Sequence, residues 1–240
     1  MQSPWRVRAL CVLTGIGLFA CDRVVPPAPP LPARSNATSA LRVADMGAEL
    51  HRFDRDVVER LRRLPEAART EEEQAAVARG TTLNEPARQS DVDALAARIG
   101  KPLPPSYRDF LVSSDGMLFE GALNVVPLLP AASVVPLTDS RYPGLGIWRA
   151  MPDVAIPLDP AAGGPLPGAA LARAWLLSSI VDGDVYLIFP ELAGPDGEWP
   201  VWFFGPKSPG AIGYPSFGAM LVRERDAALR VLEMRAQRAR

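Results

Sequence analysis

The sequence predicts an α+β fold, an antiparallel and mostly meander sheet packed against helices. Three observations carry that reading. Apolar residues repeat every three or four positions in the stretches before Gly116 and again after Ser216. From Ala174 to Phe204 that period gives way to short runs rich in aromatic and branched side chains, separated by Asp-Gly turns. Neighbouring strands joined by short turns pair antiparallel, and helices segregated along the chain cover such a sheet.

Composition sets the outer limits. The 240 residues are 48% hydrophobic and 22% charged, enough for one real core with extensions. The formal net charge is −1, which makes no bulk electrostatic case for a nucleic-acid partner. The 19 glycines and 26 prolines predict many loops and tight turns. The two cysteines, Cys11 and Cys21, both lie near the N-terminus, so the globular part has no thiol for a nucleophile, a disulfide or a zinc site. His51 is the single histidine, and any Ser-His-Asp or metal-histidine chemistry would have to use it.

The first 20 residues read as a signal peptide. Arg6 and Arg8 give a positive n-region, and Ala9 to Ala20 form a 12-residue apolar run too short to span a bilayer as a helix. The run ends in Leu18-Phe19-Ala20-Cys21, which resembles a bacterial lipobox. The resemblance implies cleavage before Cys21 and lipid attachment at Cys21, hence an exported, membrane-anchored lipoprotein of the cell envelope. Residues 21–42 then read as the anchor point and a tether, because prolines at 26, 27, 29, 30 and 32 favour extended polyproline II.

Two helices are expected over residues 43–80. In the first, over 43–64, Leu50, Phe53, Val57, Leu61 and Leu64 form an apolar stripe, with His51, Asp54 and Arg55 off it. In the second, from Thr70 to Arg79, Thr70 and Glu73 form a capping box and Gly80 a stop. A second helix pair spans Glu85 to Gly116. Ser90, with Asp93 three residues on, is the expected cap of its first member, and Val92, Leu95, Ala96 and Ile99 share one face. Gly100 ends it. Leu103 plugs the turn, Pro104 and Pro105 open the next helix, Tyr107, Phe110 and Leu111 are its buried face, and Asp115-Gly116 stops it.

After Gly116 the helical period disappears. Met117–Phe119 and Asn124–Leu129 suit short or edge strands, and 138–170 is loop-rich. Gly144-Leu145-Gly146 and Gly163-Gly164 lack the spacing of a phosphate loop or dinucleotide fingerprint, so no cofactor is expected. Trp175–Val181, Val185–Phe189 and a third run from Trp199 to Phe204 read as a three-stranded meander, its first turn made by Asp182-Gly183. Asp182 and Asp184 are turn residues rather than calcium ligands, since too few oxygens recur at regular spacing. Ser216 caps a last helix in which Phe217, Met220, Leu221, Ala228, Leu229 and Leu232 keep helical spacing.

Leu95, Arg98, Ile99 and Gly100, then Leu103, Pro104, Tyr107, Arg108, Phe110 and Leu111, then Ser114, Asp115 and Gly116 stand in the order of a known signature. The segment resembles the N-terminal signature of the SMI1/KNR4 (SUKH) superfamily, and Ser216, Phe217 and Leu221 resemble its closing helix. The resemblance covers about 85–222, with 223–240 continuing the last helix and 43–80 an N-terminal helical addition. It implies a non-catalytic protein-binding domain. Bacterial members are commonly immunity proteins that occlude a cognate toxin, while fungal relatives act in cell-wall signalling. The expectation is a membrane-tethered protein of this kind whose partner is a protein, a toxin in the immunity reading. The alternative is a structural or regulatory envelope lipoprotein binding an endogenous protein or glycan. Neither the binding face nor the oligomeric state is legible.

Overall fold

In the computed structural model the described residues are 45–121, 125–142, 145–152, 166–205 and 211–239. The stretches expected to be a signal peptide and a tether, Cys21 among them, lie outside the described residues, as does Gly163-Gly164. The fold is α+β, with two antiparallel sheets and helices before and after them.

Helix α1 (Met46–Arg63) starts on an Asp45 cap that accepts from Ala48 N. Its whole expected stripe is buried, with Met46 and Val58 added. Asp54, placed off the stripe by periodicity, is buried too, because Thr82 N (2.6 Å), Thr82 Oγ1 (2.7 Å) and Thr81 Oγ1 (2.9 Å) all donate to its carboxylate. A buried charge with three donors keeps most of what it loses in water. Helix α2 (Glu71–Arg79) has the expected Thr70–Glu73 capping box and ends on Gly80 at φ +76°.

Helix α3 (Gln89–Ile99) departs from expectation at its start. Arg88, not Ser90, is the N-cap residue, and no side chain caps it. The cause is tertiary: Ala87 N donates to Leu111 O at 2.9 Å, which fixes the incoming chain and starts the helix early. Asp93 instead accepts from Gln89 Nε2. Gly100 ends α3 at φ +76°, and α4 (Pro105–Ser113) follows with proline in its first turn. After it the chain turns through Gly116 at φ +86°.

Strands β1 (Met117–Glu120) and β2 (Val125–Leu128) form a hairpin. A short helix, α5 (Leu145–Ala150), lies inside the stretch expected to be loop-rich. Strands β3 (Trp175–Leu176), β4 (Val185–Ile188), β5 (Val201–Phe204) and β6 (Ile212–Tyr214) form the second sheet, in sequence order. The β3–β4 turn has Asp182 at φ +52° and Gly183 at φ +85°, the two positive angles of a primed turn.

The expected strand 175–181 is cut short at Leu176 for a visible reason. The Ser178 hydroxyl, not a main-chain carbonyl, accepts from Tyr186 N at 2.9 Å. The chain then swings towards β2, where Leu128 bridges Ser178 and Ser179 N donates to Pro127 O. This swing ties the β1–β2 hairpin to the second sheet through an isolated bridge. Strand β6 was not expected, because its three residues sit among glycines and prolines.

Helix α6 (Phe217–Arg238) starts on the expected Ser216 cap, which accepts from Ala219 N at 3.0 Å. One hydrophobic cluster joins α1, α3, α4 and α6 to one sheet face through Tyr186, Ile188, Val201 and Phe203. Rings step through it from α1 into the sheet: Phe53 on Phe119 at 5.8 Å, Phe119 on Tyr186 at 5.5 Å, Tyr186 on Phe203 at 5.1 Å. The helical addition expected at 43–80 therefore shares the core of the domain. A second cluster buries the opposite face, with Val185, Leu187, Trp202 and Phe204 under Tyr142, Leu166 and Leu171. The strands are buried on both faces, which explains why they read as continuous apolar runs.

Candidate functional site

The signature residues come together in two linked clusters. Tyr107 and Phe110 from α4 meet Phe217 from α6, with ring centroids 5.1 Å and 4.8 Å apart. Leu103, Leu111 and Leu221 are buried in the same core, and Pro104 is the residue from which α4 starts. Leu95 is buried with them. Tyr107 keeps a buried hydroxyl with no hydrogen-bond partner. Burial, reinforced by Asp115 and opposed by Arg98, pushes that hydroxyl well above the ordinary tyrosine range.

The second cluster is a clamp on the chain after β2. Asp115 Oδ1 accepts from Ala131 N at 2.6 Å. Arg98 donates to Ala131 O at 2.7 Å and Val134 O at 3.2 Å. Gly116 lies against the same segment, where a Cβ would stand 2.6 Å from Leu128 O. Ser114 Oγ accepts from Asn84 N at 2.9 Å. The signature is thus a packing device: it joins α3, α4, the segment before β1 and the segment after β2. None of its buried members faces outward for a partner or a reaction.

A further tie was not legible in sequence. Glu198, in the β4–β5 loop, is 8% exposed. It accepts from Ser106 N at 2.9 Å and Ser106 Oγ at 2.6 Å. It therefore caps α4, which has no local side-chain cap, and Gly218 N donates to Ser106 Oγ at 3.2 Å to bring in the start of α6. Burial raises the Glu198 carboxyl, against the two Ser106 hydrogen bonds that lower it. Among the described residues the tryptophans divide: Trp199 and Trp202 are core, whereas Trp148 and Trp175 are half-buried. Partial burial, reinforced by Asp184, pushes the Tyr142 hydroxyl up to about 12.

An open surface groove of about 460 Å³ is present among the described residues. One wall is the extended chain from Thr81 to Pro86, and the other is His51 of α1 with Val112 and Ser113 of α4. Val112 is 43% exposed, one of the few large apolar side chains so placed among the described residues. His51 is exposed, as expected of a surface histidine. Periodicity could not find this groove, since its walls lie 30 residues apart in places and one of them has no regular structure.

Among the described residues no group of three or more His, Cys, Asp or Glu side chains is placed to hold a metal ion. Among them, too, no helix is long and apolar enough to cross a membrane. No protein-family model matches the chain, and no curated protein matches it.

Proposed function

We propose that this chain is a SUKH-type, non-catalytic protein-binding domain. In this reading a lipid on Cys21 holds it at a bacterial membrane, where it neutralises a cognate toxin by covering the toxin's active face. One observation supports it above the rest. Residues matched to the SMI1/KNR4 signature from two distant stretches, 95–116 and 216–221, meet in a single aromatic and leucine cluster. Phe217 packs against both Tyr107 and Phe110, so the two matched stretches share one core. A rigid, signature-built core suits occlusion, because a preformed surface spends little free energy on ordering when it binds.

The test is a pull-down from detergent-solubilised membranes of the host, with tagged wild type and Cys21→Ala. A secreted toxin fragment recovered with membrane-bound wild type, and wild type alone processed and membrane-held, is the expected outcome. Recovery of envelope proteins only would move the function to an endogenous envelope partner. A Cys21→Ala protein that stays membrane-bound at precursor size would remove the lipid anchor from the reading.

A further inference from the structure

We infer that the groove between the Thr81–Pro86 segment and the α1–α4 wall receives an extended, basic peptide segment of a protein partner. The segment binds as an added strand beside Leu83, with a lysine or arginine against Glu85 and an apolar side chain on Val112.

The main chain supplies the first reason. Leu83 bridges Met117 of β1, and the flanking bonds are Leu118 N to Thr82 O at 2.9 Å and Asn84 N to Gly116 O at 3.3 Å. That is the pattern around a non-hydrogen-bonded antiparallel pair, so the Leu83 amide and carbonyl face away from β1. Thr81 Oγ1 takes the Leu83 N–H at 3.0 Å. Among the described residues the Leu83 carbonyl accepts no hydrogen bond, and the Glu85 N–H donates none. The segment at 83–85 therefore presents at its edge one open acceptor, the Leu83 carbonyl, and one open donor, the Glu85 N–H, while Thr81 Oγ1 holds the Leu83 N–H and Asp115 N the Glu85 carbonyl. Extended peptides add to such edges, taking affinity from main-chain bonds and specificity from alternate side chains.

Charge supplies the second reason and selects the peptide. Among the described residues lining the groove Glu85 is the one carboxylate, and no arginine or lysine is present. The Glu85 carboxylate forms no ion pair or hydrogen bond with any described residue, whereas its main-chain carbonyl accepts from Asp115 N at 2.8 Å. On α1, Glu49 is taken by Arg52 and Arg225, Glu59 by Arg63, and Asp54 by Thr81 and Thr82, while Asp56 of α1 and Asp109 of α4 carry no such partner among the described residues but do not line the groove. An unpaired carboxylate beside an exposed valine, on an open edge, is complementary to alternating basic and apolar side chains. The volume, about 460 Å³, is in the range of peptide-sized and ligand-sized clefts.

The inference rests on the protein-binding reading but not on the partner being a toxin. A display library of random dodecapeptides is panned against the full chain in detergent, and against Glu85→Lys and Val112→Asp. Both positions are exposed, so thermal unfolding should match wild type. Wild type is expected to enrich peptides that alternate apolar and basic residues. Glu85→Lys should weaken the enriched peptides by about tenfold or more and enrich acidic ones, and Val112→Asp should weaken them similarly. Amide hydrogen exchange at Glu85 should slow with the enriched peptide bound. No enrichment, enriched peptides indifferent to both substitutions, or protection confined to another segment would each overturn the groove. A toxin recovered from membranes whose binding ignores both substitutions removes the groove and leaves the immunity reading. Groove-dependent basic peptides with no toxin recovered do the reverse.

Discussion

Glu198 shows how one side chain can hold a fold together at a cost set by pH. Its carboxylate caps α4 from a loop 92 residues away in sequence and is 8% exposed. Burial raises its folded-state pKa above the unfolded value, despite the two Ser106 donors. The folded state therefore binds the proton more tightly than the unfolded state. That contribution to stability is fully present below the unfolded pKa and is lost as pH rises through the folded one. Glutamine at this position can still accept from Ser106 without carrying a charge. Urea unfolding of wild type and Glu198→Gln at pH 4 and pH 7 should show the balance moving towards the variant at the higher pH. A constant difference would mean that the Ser106 bonds cancel burial, and one moving towards wild type that they outweigh it. Gly116 is the other residue fixed by its surroundings, since its φ of +86° and the Leu128 carbonyl both exclude a side chain.

At the scale of the element, α2 joins local capping to tertiary docking through one carboxylate. Glu73 Oε2 accepts from Thr70 N at 2.7 Å, closing the capping box. The same carboxylate, fully buried, receives Arg235 of α6 at 2.6 Å and 2.9 Å. Arg235 also reaches Ala68 O. The sequence shows the box, because Thr and Glu stand three apart before an amphipathic run. It cannot show the arginine, which lies 162 residues on. Thr70→Ala removes one cap bond and should cost about 1 kcal/mol. Glu73→Ala removes the box and strands a partly buried arginine, and should cost about 3 kcal/mol. Equal losses in urea denaturation would show that Glu73 acts as a cap alone. On α6, Glu224 interrupts the apolar stripe for a similar reason: it is 5% exposed and accepts from the Tyr214 hydroxyl.

For the whole molecule, the decisive fact is that α1 enters the same core as the signature helices. Phe53 is 1% exposed and stacks edge-on with Phe119 of β1, so its loss opens a cavity in the centre of the domain. Phe53→Ala should cost about 3–5 kcal/mol. Helical circular dichroism and the emission of buried Trp199 and Trp202 should then fall with one shared, lowered midpoint. Separate midpoints would show that α1 and α2 unfold apart from the sheet.

The sequence by itself determined the fold class and most of the helices. Their information is local: a 3.6-residue apolar period, a Thr-Glu box, a glycine at φ +76°, an Asp-Gly turn with two positive φ angles. It also determined which residues make the core of α4 and the start of α6, since Tyr107, Phe110, Leu111, Phe217 and Leu221 are all buried where the pattern put them. Only the tertiary structure decided the start of α3, set by Leu111 O, and the end of β3, set by the Ser178 hydroxyl. It also decided the burial of Asp54 and Glu198, and the covering of the second sheet face by residues from 166 to 174. Most depend on groups tens of residues apart, and the end of β3 on a hydroxyl and an amide eight residues apart across a turn; no local period records such pairings. The groove is of that kind: an open Leu83 edge, a lone Glu85 and an exposed Val112 become a site only when α1 and α4 stand beside the strand.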